Sequence, residues 1–230
     1  MDRRQALRNL GWGAGALVAT PTIISILQSC KEAGPSFVPA FVSPAQGHAL
    51  MSMVDLIIPN DEAIPGAVAM GVHQFIDSYW NEVLTPDNAL LADRFGKGLP
   101  VSEQQMIKNA FDTFESEYKA TFNKEDMSKG TPEEFDQMLS KYLKTSKEEQ
   151  RGYQMKYGEY MQALNSDPAA TLDKDAQLFN LLSSIRGLTI WGWKTSEQIG
   201  ENVLWYDPVP GQDKGCIPLS EAGNGNAMSL

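Results

Sequence analysis

Apolar residues recur along this chain at the three-and-four spacing of an α-helix, and turn residues break the rhythm at intervals. Ser43-Pro44-Ala45-Gln46 supplies an N-cap, a proline at the first helical position and a capping-box glutamine. Leu50, Met53, Val54, Ile57 and Ile58 follow on one face, and Pro59 ends that helix. A second helix carries Val72, Phe75, Ile76, Tyr79, Trp80, Val83 and Leu84, and a short one is expected over 88–95. Ser102 with Gln105 opens the next, whose face holds Met106, Ala110, Phe111, Phe114 and Tyr118. Thr131-Pro132-Glu133-Glu134 is another capping box, leading into Phe135, Met138, Leu139 and Tyr142. Ser146 with Glu149 starts a helix striped by Tyr153, Tyr157, Tyr160 and Met161, a stripe that reads as core. A last helix holds Leu178, Phe179, Leu182, Ile185 and Leu188. Alternating strand patterns and fixed-period repeats are both missing, so the expected class is all-α, one domain of about six or seven helices.

Beyond Gly192 the pattern changes. Five glycines (200, 211, 215, 223, 225) and three prolines forbid a long helix, yet Trp191, Trp193, Ile199, Trp205 and Tyr206 are large and apolar. Irregular chain with that much apolar surface must lie against something, either its own helices or a partner. Trp191, Trp193, Trp205, Tyr206, Asp207, Pro208 and Cys216 are the candidate partner-facing residues, since Trp and Tyr favour interfaces.

The other end reads as an export leader. Three arginines precede the uncharged run Leu10–Leu27, then Leu27-Gln28-Ser29-Cys30 and polar sequence. The start resembles a twin-arginine signal through Arg3, Arg4, Leu7 and Arg8, with Ala6 where an aromatic is usual. Leu27 to Cys30 is similar to a lipobox, which would make Cys30 the lipidated N-terminus; an uncleaved anchor would leave the protein on the same membrane face. Gly11, Gly13 and Ala16 match dinucleotide-fingerprint spacing, but no strand precedes them, so no nucleotide site is expected. The chain thus divides into a leader at 1–29, a linker at 30–42, a helical domain at 43–193 and an irregular segment at 194–230, with a periplasmic location expected.

Charge narrows the partners. The leader holds three of the 19 Lys and Arg and one of the 29 Asp and Glu, leaving 16 against 28 and a formal charge near −12. That disfavours nucleic acid and anionic lipid, so membrane attachment rests on a lipid anchor. Two histidines and two cysteines cannot build a metal cluster or a CxxCH haem site. With Cys30 acylated, Cys216 is left as a free thiol or an intermolecular disulfide partner. Asp55, Asp61 and Glu62 read as solvated surface, and His73 as a hydrogen-bonded structural histidine rather than a base. No catalytic motif appears, so no catalytic, cofactor or metal residues are assigned.

Two stretches, LMSMVDLIIPNDEAIPGAVAMGVHQFIDSYW (50–80) and FNLLSSIRGLTIWGWKTSEQIGENVLWYDPVPGQDKGCIP (179–218), resemble the gluconate 2-dehydrogenase subunit 3 family. Most distinctive are the Ile-Pro-Gly turn at 64–66, Gly71-Val72-His73 and the run Tyr206–Gly211. The resemblance implies a non-catalytic small subunit. Its large partner would be a glucose-methanol-choline (GMC) type dehydrogenase holding FAD, acting on a sugar or sugar acid, with haem c in a cytochrome c partner. A flavoprotein folds around FAD before export, so one leader read by the twin-arginine translocase could carry both chains. The alternative from another class is an independent lipid-anchored periplasmic binding protein with an aromatic pocket.

Overall fold

The computed structural model describes residues 37–85 and 101–205, and of the tail Gly211, Cys216, Pro218, Ser220, Glu221 and residues 223–228. The leader residues Arg3, Arg4, Leu7 and Arg8, the lipidation candidate Cys30, the helix expected over 88–95, and Tyr206, Asp207 and Pro208 lie outside the described residues. Among those described there are seven α-helices and no named strand: α1 (Pro44–Ile57), α2 (Val72–Ser78), α3 (Glu103–Phe122), α4 (Pro132–Leu143), α5 (Lys147–Ala163), α6 (Lys174–Lys194) and α7 (Glu197–Asn202). The class is all-α.

The helix starts form as their sequences dictate. Ser43 Oγ accepts the Gln46 amide while Gln46 Oε1 accepts the Ser43 amide at 3.1 Å, and the same reciprocal box opens α4 and α5. The box of α4 also ties neighbours together. Its Glu134 carboxylate meets Lys124 at 2.6 Å and accepts the Tyr118 hydroxyl at 2.5 Å. Those contacts, Lys124 foremost, pull the Glu134 carboxyl down to about 2. Asn123, in the left-handed region at φ 51°, closes α3.

The helix expected from Val72 to Leu84 is two pieces. α2 stops at Ser78, and Tyr79–Val83 form a π turn in which the Leu84 amide reaches back to Tyr79 O at 3.2 Å. Val72, Ile76 and Trp80 lie four apart and are buried, whereas Phe75 and Tyr79 are only half-buried. Simple periodicity had put both rows on one face. Trp80, 1% exposed, packs edge-on against Phe111 with centroids 5.6 Å apart.

One helix is central. α6 packs on all six others, with Leu178, Leu181, Leu182, Ile185 and Thr189 buried. Apolar residues lie nearly all round it, the mark of an interior helix. Around it run the aromatic side chains of Trp80, Phe111, Phe114, Tyr118, Phe135 and Tyr142.

Residues 37–42, read from sequence as linker, are fastened to this body. The buried Asp77 carboxylate accepts the backbone amides of Ala40, Phe41 and Val42 at 2.6, 3.1 and 3.3 Å. A charge buried without a cation needs such donors.

Asp77→Ala leaves those three amides without an acceptor and is expected to cost roughly 2–4 kcal/mol, seen as a lower urea midpoint at unchanged slope. An unmoved midpoint would show that the clamp contributes nothing. For pH, Glu134 has a folded-state carboxyl below its ordinary 4.5, so the stability it adds is present above 4.5 and drains as pH falls toward 2. Glu134→Gln should flatten that part of the stability–pH curve; an unchanged acid limb is the contrary result.

Candidate functional site

Two features stand out on the half of the molecule shared by α2, its π turn and α6. The first is a surface. Trp191 is 44% exposed and stands against Phe75 at 5.3 Å and Tyr79 at 6.1 Å between centroids, both edge-on. Val83 and Ile190 are also exposed large apolar side chains. Two glycines frame Trp191 in opposite ways. At Gly192 a Cβ would come within 2.8 Å of the Phe75 ring, so this glycine lets α6 approach α2. At Gly187, one turn before Trp191, a Cβ would meet nothing within 4 Å. The space above it is open.

The residues expected to face a partner divide. Trp191 lies on this surface. Trp193 turns the other way and donates from Nε1 to the Pro65 carbonyl at 2.9 Å, holding the Ile64-Pro65-Gly66 turn against α6. Gly66 is required there, because a Cβ would collide with the backbone of Pro59 and Asn60. Trp205 is half-buried, with Gly223 (φ 52°) pressed on its ring and its amide donating to Ala227 O at 2.8 Å. Cys216 is an exposed free thiol. Phe75, Tyr79, Gly187 and Ile190 were missed; the available signal was a glycine inside an otherwise apolar helix, which usually means a close approach or an opening.

The second feature is a cavity of about 560 Å³ bounded by the π turn, α3, α5, the 164–173 loop and α6. The tyrosine stripe of α5 was read as core, and that is corrected here: α5 buries none of its residues fully. Tyr157 and Tyr160 line the cavity, half-buried, and burial raises both phenols above the ordinary tyrosine range. Periodicity identifies the inward face of a helix without saying whether anything fills the space beneath it. Glu103, also on the lining, has its carboxyl pushed up by burial.

The remaining candidates are quieter. His73 is buried beside Phe37 with centroids 4.9 Å apart, and burial holds its pKa below the ordinary value. Its Nδ1 finds no partner among the described residues, so the expected hydrogen bond at that nitrogen is absent there. Asp61 caps its own turn by accepting the Ala63 and Ile64 amides at 2.7 Å each. Among the described residues no cluster of three His, Cys, Asp or Glu could hold a metal, and no helix is long and apolar enough to cross a membrane.

The family model described as Gluconate 2-dehydrogenase subunit 3 matches residues 44–211 of the chain. No curated protein and no solved structure matches.

The glycine pair tests this geometry. Gly187→Ala should stabilise the fold by about 0.5–1 kcal/mol, the ordinary helical preference of alanine, whereas Gly192→Ala should destabilise it. Equal effects from the two, measured by thermal unfolding, would contradict the described packing of α6 on α2.

Proposed function

The chain belongs to the gluconate 2-dehydrogenase subunit 3 family, and from that premise we propose that it is the small subunit that escorts, stabilises and anchors an FAD-dependent GMC-type dehydrogenase. It carries out no catalysis itself. FAD sits in the large subunit, and a cytochrome c bearing haem c takes the electrons. The twin-arginine leader (Arg3, Arg4, Leu7, Arg8) moves the joined pair to the periplasm through the translocase, and lipidated Cys30 holds it at the membrane.

The observation that carries the docking half of this reading is the Trp191 surface. A tryptophan nearly half in water, braced by Phe75 and Tyr79 beside an open glycine, is a rigid anchor with a vacant neighbour. Folding alone gives no reason to leave Gly187 unfilled, since a glycine inside a helix costs about 1 kcal/mol against alanine. A partner side chain seated over Gly187 gives one. The acidic body fits a protein companion better than a nucleic acid or an anionic bilayer.

The test co-expresses the large subunit with three forms of this chain and assays dehydrogenase activity outside the cytoplasm. Wild type should deliver activity, and Arg3→Lys with Arg4→Lys should strand both chains inside. Trp191→Ala should be exported alone, its affinity for the large subunit lowered at least about 30-fold, the effect of a 2 kcal/mol hot spot. Normal delivery by the arginine variant overturns the escort role, and normal co-purification by Trp191→Ala overturns the docking surface.

A further inference from the structure

The cavity and the Trp191 surface lie along one face of one helix. On α6 the lining residues Gln177, Asn180, Leu181, Ser184 and Leu188 recur at three-and-four spacing, and the next position of that stripe is Trp191. At a rise of about 1.5 Å per residue, the stripe from Gln177 to Trp191 is roughly 21 Å long. Tyr79 joins the two features from the π turn: its ring lines the cavity and also stands 6.1 Å from that of Trp191. Between Ser184 and Trp191 the space is open, since a Cβ at Gly187 would meet nothing within 4 Å.

The groove so formed is apolar with one exception. Ile107, Ala110, Leu181 and Leu188 line it from α3 and α6, and Tyr157 and Tyr160 wall it from α5. Glu103, at the start of α3, is the one charged residue among the described lining. Burial pushes its carboxyl up, and its charge adds to burial in raising the Tyr157 phenol, so both feel the same poorly solvated space. Its carboxylate forms no ion pair or hydrogen bond with the described residues. Glu117 shows the contrast on the same helix, bracketed by Lys141 and Lys174 at 2.7 Å each. A desolvated carboxylate gains most from a cation that arrives with apolar surface around it and keeps water from the pair.

We infer that the groove from Gln177 to Trp191 seats an apolar segment of the FAD-dependent large subunit, one of whose arginine or lysine side chains pairs with Glu103. This extends the docking reading above and rests on it. Trp191 anchors one end, apolar side chains of the segment enter the cavity, and the cation reaches Glu103. The length of the stripe suits about four turns of a helix laid in the groove. A second copy of this chain suits it less well, because its acidic body brings like charge toward Glu103.

The test measures the affinity of the full chain for the co-expressed large subunit and identifies the occupant by crosslinking. Ser184→Phe sets a ring in the open part of the groove, and Glu103→Gln removes the charge at nearly constant shape. Each should weaken binding tenfold or more with the thermal midpoint at its wild-type value, and Glu103→Arg should weaken it further than Glu103→Gln. A photoreactive side chain placed at position 184 should crosslink to the large subunit. Wild-type affinity in either Ser184→Phe or Glu103→Gln, with Trp191→Ala still weakened, overturns the groove and leaves the Trp191 surface standing. Crosslinking to a second copy of this chain in place of the large subunit overturns it equally. Wild-type affinity in Trp191→Ala overturns the docking reading and this extension with it.

Discussion

The structure depends on the packing of one helix. α6 touches every other helix among the described residues, and the buried row from Leu178 to Ile185 forms the axis of the core. Thr189 turns its hydroxyl back to the Ile185 carbonyl at 2.7 Å and so sits in that interior without an unmet donor. A helix so enclosed has little perimeter left. Its exposed residues include Gly187, Ile190 and Trp191, while Gln177 and Asn180, half-buried, line the cavity. Both candidate sites are the parts of α6 that its own fold does not cover.

This arrangement places an aromatic anchor on the surface of a chain that belongs to the gluconate 2-dehydrogenase subunit 3 family. The core needs close contact between α6 and α2, supplied by Gly192 against Phe75. That contact in turn fixes Trp191 between Phe75 and Tyr79, so the anchor is positioned before any partner arrives. Preorganised aromatic anchors lose little side-chain entropy on binding, which favours a tight complex. The Asp77 clamp fastens residues 40–42 to the same folded body.

Much of the architecture was legible because its determinants are local. The boxes at Ser43, Thr131 and Ser146 lie within four residues, and each folded as its sequence implied. Long-range pairing was not legible. Trp191 and Trp193 look alike in sequence, yet one faces water and the other donates to a carbonyl 128 positions away. The widened turn at Tyr79 has no simple pattern, and by moving Tyr79 off the buried row it brings that ring to both Trp191 and the cavity. The α5 stripe was legible as an inward face and illegible as the wall of a space, because a void has no residues of its own.

Hydrogen exchange on this chain, alone and with the FAD-dependent dehydrogenase proposed as its partner, tests the central claim most directly. Docking on the outer face of α6 predicts added protection concentrated at residues 75–83 and 187–191, with the amides of α4 unchanged. Protection confined to α4 and the far side of α3, with residues 187–191 exchanging as in the free chain, would contradict it.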